Sequence, residues 1–340
     1  MQKDKYGILL INTGSPDAPE TGPTRSYLNR FLSDPRVIDL PAWRRWLLVK
    51  LILITRPKES AHAYSQIWTD RGSPLVFHAE DLRDGLRAQL PDALIETGMA
   101  YGCPYVPDAL NSLLKQGATR IVLAPLFPQY ASATIGSVLE LSYKTLADLP
   151  NVPPITTLSP FYDHPAFLDA WVALTKPKLD AFKPDHILLS YHGLPERQVR
   201  NCDPTGSHCL QRDDCCEHYL EANPYCYRAH CVATTKGIVE GLGLGDDDYS
   251  FVFQSKLGRS AWLTPATDAT VEKLAKDGVK KLAILSPAFV GDCIETIEEL
   301  GMQARDSFLK NGGQELELLP SLNSEAAWVS AFAEILQDTM

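Results

Sequence analysis

Short apolar runs of strand length alternate along this chain with longer segments of helical period. Residues 6–12 (YGILLIN) are apolar at odd and even positions alike and run into Thr13-Gly-Ser-Pro16, whereas residues 79–90 set Leu82, Leu86 and Leu90 four apart. The first pattern predicts a strand covered on both faces, the second an amphipathic helix. Residues 121–126, 187–191 and 282–285 repeat the strand pattern. Strands without a polar face belong in parallel sheets flanked by helices on both sides, so the expected class is α/β with doubly wound sheets.

Two stretches echo each other. Lys115-Gln-Gly117-Ala-Thr-Arg120 leads into IVLAPLF, and Lys276-Asp-Gly278-Val-Lys-Lys281 leads into LAILSPAF. Each reads as a helix end, a glycine cap, a buried strand and a Pro-x-Phe exit. ILLINTG near the start is matched in the same way by ILLSYHG at residues 187–193. With 340 residues and roughly 150 per domain, the echo predicts two similar halves, 1–174 and 175–340, divided around Thr175-Lys-Pro-Lys178.

Composition changes this picture at three points. Lys and Arg total 32 against 42 Asp and Glu, a net charge of -10, so the basic field of a nucleic-acid-binding protein is absent. The apolar stretch 47–54 is broken by Lys50 and falls short of the ~20 residues a membrane span needs, and the first residues hold no secretory h-region; a cytoplasmic protein is expected. Of eight cysteines, Cys202, Cys209, Cys215, Cys216, Cys226 and Cys231 crowd into 30 residues. In a reducing compartment such crowding indicates metal or iron-sulfur ligands rather than disulfides.

Ligands of open α/β sheets sit beyond the carboxyl ends of strands, and two segments bring reactive side chains there. In LLSYHGLP, residues 188–195, a buried strand runs directly into His192, and Gly193 and Pro195 end regular structure. In SPAFVGDCIETIEE, residues 286–299, a strand yields to a loop and then to a helix expected to begin near Asp292, with Glu295 and Glu299 four apart on one face. From spacing alone His192 fits a loop hydrogen bond as well as it fits catalysis, and the glutamates fit an ordinary acidic first turn. Brought into one cleft, an imidazole facing a carboxylate can accept protons and hold a divalent metal transiently.

The segments LLSYHGLPER, AFVGDCIETIEEL, GILLINTGSP, SYLNRFLSDPRVIDLP, YSQIWTDRGSPL, PLFPQYASATIGS and FQSKLGRSAWLTP resemble ferrochelatase, from about residue 6 to 323. The resemblance implies two Rossmann-like lobes with parallel sheets flanked by helices and a porphyrin cleft between them. It implies a lyase that inserts Fe2+, its substrate metal, into protoporphyrin IX and releases two protons in the last step of haem synthesis. A chelatase for another tetrapyrrole such as coproporphyrin III, or a non-enzymatic iron-sulfur or zinc protein, are the competing readings. By resemblance His192 and Glu295 are catalytic, and His192, Glu295 and Glu299 handle the metal. Tyr101, Tyr27, Ser190 and Trp262 fall on substrate-binding positions.

Two further segments take their reading from the resemblance. The insert 201–231 is similar to the internal [2Fe-2S] region of some bacterial ferrochelatases, which implies Cys209, Cys216, Cys226 and Cys231 as ligands with Cys215 as the alternative. Structural zinc, with His208 or His230, and free thiols compete with it. The lip segment 41–56 joins Trp43 and Trp46 to Arg44, Arg45, Lys50 and Arg56. Its composition suits a helix at a lipid interface or one buried on the sheet, and the resemblance places it at the porphyrin mouth. Peripheral membrane association at the inner face and a monomer or weak dimer are expected.

Overall fold

The computed structural model describes residues 4–217, 223–256 and 260–340. The middle of the cysteine insert, 218–222, and Leu257, Gly258 and Arg259 of the FQSKLGRSAWLTP stretch lie outside the described residues.

The chain forms two compact units, each around a four-stranded sheet whose strand pairs are all parallel. The first unit comprises Met1–Phe127, Ser132–Ser159 and Asn323–Met340. It holds β1 (Tyr6–Asn12), β2 (Leu94–Met99), β3 (Arg120–Pro125) and β4 (Ile155–Thr157) in the order β2-β1-β3-β4. The second unit comprises Pro128–Ala131 and Pro160–Leu322. Its strands β5 (His186–His192), β6 (Tyr249–Gln254), β7 (Lys281–Leu285) and β8 (Glu315–Leu318) repeat that order as β6-β5-β7-β8.

The internal echo therefore has a structural basis: the opening strand of each unit lies inside its sheet and is paired on both edges. Such a strand meets helices on both faces, which is why Ile8, Leu9, Leu10 and Ile11 are buried without a polar position between them. Gly117 and Gly278 take φ of +88° and +103° just after their helices and before β3 and β7, the left-handed exit a side chain would oppose.

The division between the units differs from the expected one at residue 175 in two ways. Thr175 and Pro177 lie inside a helix, Pro165–Phe182, held by a buried stripe of Phe167, Ala170, Trp171, Leu179 and Phe182. That apolar stripe outweighs the proline, so the passage into the second unit falls earlier, at Ser159 and Pro160. The C-terminal helix Ala326–Thr339 also belongs to the first unit, where Ser330 Oγ accepts from Gln89 Nε2 at 3.0 Å and Met340 O accepts from Tyr6 Oη at 3.1 Å.

The lip segment lies in a 26-residue helix, Ala42–Ile67, with two apolar faces. Val49, Leu53, Ala61, Tyr64 and Ile67 are buried, Val49 and Leu53 beside Leu32 of the helix Thr21–Ser33. On the other face Trp43 is 64% exposed, Trp46 63%, Leu51 56% and Ile54 68%. One face of the segment is thus packed in the unit and the other is exposed. Among the described residues no helix is long and apolar enough to cross a membrane.

Candidate active site

His192 is the last residue of β5, where the strand hands over to a glycine whose surroundings leave no free room for a side chain. A Cβ on Gly193 would lie 2.6 Å from the carbonyl oxygen of Gln254 and 3.2 Å from Trp262 Cε3. This close approach lets Gly193 N donate to Gln254 O at 2.8 Å and so continues the β5–β6 ladder past its last residue pair, His192 and Gln254. The imidazole is half-buried, and its Nδ1 lies 2.7 Å from Gly193 O. A carbonyl oxygen only accepts, so Nδ1 carries a proton, and the neutral form of the ring has its lone pair on Nε2. Tyr227 Oη donates to His192 O at 2.8 Å, fixing the backbone as well.

The acidic helix begins at Ile294, close to the expected start near Asp292. Thr296 Oγ1 accepts from Cys293 N at 3.0 Å and donates to Asp292 Oδ1 at 3.0 Å, so Asp292 and Cys293 form a capping turn and regular structure starts beyond them. The segment beyond that turn, Glu295–Ala304, is a π-helix that continues as the α-helix Arg305–Lys310. Ten residues of π-helix are unusual, and such segments concentrate at functional sites.

Glu299 is clamped from outside this helix. Its Oε2 accepts from Gln254 Nε2 at 3.0 Å and from Ser255 Oγ, while the same Gln254 amide donates to the backbone carbonyl of Glu295 at 2.8 Å. Burial, and next the neighbouring charge of Glu295, push the Glu299 carboxyl up; the Ser255 and Gln254 hydrogen bonds and the His192 imidazole oppose that shift. His192, Glu295 and Glu299 therefore share one electrostatic neighbourhood in the second unit. Cys293 lies under it, its thiol pushed well up by burial and then by Glu295.

The other substrate-position residues are placed differently. Ser190 is fully buried two residues before His192, its Oγ 3.0 Å from both Gln254 Oε1 and Thr267 Oγ1. Trp262 forms a bridge with Pro195 and has a buried indole Nε1 without a hydrogen-bond partner among the described residues. Tyr101 and Tyr27 belong to the first unit's core, and Tyr101 Oη donates to Asp34 Oδ2 at 2.7 Å. Sequence reasoning missed Gln254 and Ser255; their signal was position, since FQS ends a strand adjacent to the one that ends in His192.

In the insert, Cys209, Cys215, Cys216, Cys226 and Cys231 are all buried. Cys215 and Cys216 Sγ are 3.9 Å apart, and Cys216 also hydrogen-bonds Cys226. Asn223 Nδ2 lies 3.2 Å from Cys209 Sγ, and Arg228 Nη1 donates to Cys216 Sγ at 2.9 Å. The Cys226 contact, then the Arg228 cation against the cost of burial, bring the Cys216 thiol down to about 6. Asp203 organises the loop by accepting from Thr205 N and Oγ1 and from His208 N and Cys209 N, all at 2.7–2.9 Å. His230 is already engaged, with Tyr130 N donating to its Nδ1 and its Nε2 directed at Pro224 O, and His208 Nε2 is directed at Cys215 O. Among the described residues no three His, Cys, Asp or Glu side chains meet in a group that could hold an ion.

The profile of the family described as ferrochelatase matches residues 5–340. The chain is 45% identical over 334 residues to a protein named ferrochelatase from Pseudomonas entomophila (strain L48), covering 98% of this chain and 99% of that one. It is 46% identical over 332 residues to ferrochelatase from Stutzerimonas stutzeri (strain A1501), with 97% of each chain covered. Among solved structures, SirB from Bacillus subtilis with Fe3+ is similar at a TM-score of 0.55 and 13% identity, covering 98% of this chain and 95% of that one, a likeness of fold.

Proposed function

Because the chain belongs to the ferrochelatase family, we propose that it inserts Fe2+ into protoporphyrin IX in haem biosynthesis, with His192 as the base and Glu295 and Glu299 as the acidic pair that moves metal or protons. The observation that carries the assignment of His192 is the 2.7 Å contact of its Nδ1 with Gly193 O. Metallation releases two pyrrole protons, and an imidazole whose Nδ1–H is committed to Gly193 O offers Nε2, and no competing proton, to them. Fe2+ is a substrate that must leave for the macrocycle, so few and loosely arranged ligands serve it better than a closed four-ligand cage. A planar porphyrin hides its nitrogens, and binding it bent towards the transition state would expose them.

The exposed apolar face of Ala42–Ile67 supports protoporphyrin over a more polar tetrapyrrole, and with Arg44 and Lys50 it supports peripheral contact with anionic lipid. For the insert, the reading is a [2Fe-2S] centre on Cys209, Cys216, Cys226 and Cys231. It is supported by the burial of these thiols and by the N–H groups of Asn223 and Arg228 on sulfur, as thiolates of such centres receive them. The centre, when bound, would cross-link a polar loop. Iron and acid-labile sulfide in the purified protein test it, and stoichiometric zinc without sulfide replaces it.

The test of the main reading is iron insertion by the parent protein and by His192→Ala. The variant is expected to lose at least ~100-fold in turnover, the low end of what a positioned base supplies, with folding retained. Near-parent turnover in a folded His192→Ala protein overturns the role.

A further inference from the structure

We propose that Gln254 is a positioning residue, which with Ser255 turns Glu299 so that only its Oε1 faces an incoming Fe2+ and holds the start of the acidic helix at a set distance from His192. The inference rests on the reading of Glu299 as a metal-handling group.

Gln254 is nearly fully buried, and every polar atom of its amide is committed. Glu295 O is a backbone carbonyl and can only accept, so the amide nitrogen faces it, and the second hydrogen of that nitrogen goes to Glu299 Oε2. Its Oε1 consequently faces Ser190 and accepts from Ser190 Oγ at 3.0 Å. The Ser190 hydroxyl has one hydrogen, so it receives rather than gives in its 3.0 Å contact with Thr267 Oγ1. The donor direction runs Thr267, Ser190, Gln254, Glu299, and the amide orientation is dictated by that chain.

The same residue is locked to the catalytic strand through its backbone, in register with His192 and accepting from Gly193 N. Gln254 therefore ties the imidazole and the first turn of the π-helix to one rigid point. Ser255 adds a second donor to the same carboxylate oxygen from a left-handed backbone, φ +65°, a conformation that favours glycine over any residue with a Cβ. Two donors converge on Oε2 and none of these bonds involves Oε1. A carboxylate held this way presents one oxygen, which suits passing a metal on and disfavours bidentate retention.

The experiment measures Fe2+ and porphyrin dependence separately in parent, Gln254→Met and Ser255→Gly proteins. Partners of a ligand typically contribute 10- to 100-fold to metal affinity, so KM for Fe2+ is expected to rise by about that factor in Gln254→Met. Porphyrin binding, read by fluorescence quenching, should stay within about 2-fold. Ser255→Gly keeps the positive φ without strain and loses only the hydroxyl, so its melting temperature should hold or rise while its KM for Fe2+ rises. A merely structural role predicts the opposite pairing. An active parent with unchanged Fe2+ KM in both variants overturns the positioning role alone. A parent protein that inserts no iron overturns the functional reading and this inference with it.

Discussion

Replacing Gly193 by Ala puts one methyl group where the β5–β6 pair has no room. The new Cβ would start 2.6 Å from Gln254 O, a distance real Cβ atoms do not show below 3.0 Å, so the strands must part by at least 0.4 Å. The atom in the way is backbone, and Trp262 Cε3 at 3.2 Å closes the alternative side, so no rotamer change absorbs the strain. Overpacking of this kind costs ~1–3 kcal/mol, or a fall of about 2–12 °C in melting temperature for a unit of this size. The catalytic effect should be the larger signal. Parting the strands lengthens Gly193 N to Gln254 O and moves the carbonyl that holds His192 Nδ1. With ~1 Å misplacement costing about 100-fold, turnover should drop on the order of 10-fold. Gly22→Ala, where no atom lies within 4 Å of the new Cβ, is the control and should leave activity and stability near the parent values. A folded Gly193→Ala protein with parent turnover would refute the claim that this contact sets the position of His192.

Glu295→Gln is expected to lower turnover far more than porphyrin affinity, and Glu299→Gln to act more mildly, as saturation kinetics beside fluorescence titration would show. Asp203 accepts four hydrogen bonds that together overcome the upward push of its burial and hold its carboxyl below the ordinary range. Its stabilisation is therefore complete above the unfolded carboxyl's pKa of ~3.9 and declines as pH falls below that value, so cysteine-loop protection from proteolysis should fade there. Asp203→Asn, which turns donors on donors, should lose about 2–5 kcal/mol at neutral pH and show a flatter acid limb. Arg44→Glu with Lys50→Glu should abolish salt-sensitive co-sedimentation with anionic vesicles, each basic residue contributing about 1 kcal/mol, while activity on detergent-dispersed porphyrin persists. Arg45 is spared because its Nη1 holds Leu40 O at 2.9 Å.

The strands were legible because nothing competes with a continuous apolar run bounded by Gly and Pro. Residues 6–12 match β1 to the residue, and the glycines of the echo sit where the chain leaves its helices. His192 was legible for the same reason, as a polar residue at the end of such a run. What sequence could not show depends on partners distant in the chain. Gln254 reaches Ser190 and Glu295 across 64 and 41 residues, and no local pattern marks that a strand-end amide will find a carboxylate. The boundary differs from the one the echo suggests at 175 because Trp171 and Leu179, on either side of it, bury their side chains from one continuous helix.

The return of Ala326–Thr339 to the first unit sets an order of assembly. Helix Pro74–Gln89 exists early in synthesis, but the Trp328, Phe332 and Leu336 face is made only after the whole of the second unit. During that interval the first unit lacks one of its layers, with the space around Gly85 that Val329 will fill still open. The second unit is nearly continuous in sequence and needs nothing from this helix to close its own sheet. Translation at ~5–20 residues per second leaves the earlier unit waiting for several seconds longer than its length alone would require, and closure by a sequence-distant helix is intrinsically slow. Residues near the carboxyl end thus act as a completion signal for the amino-terminal half, and truncations there should expose the oldest part of the chain rather than the newest.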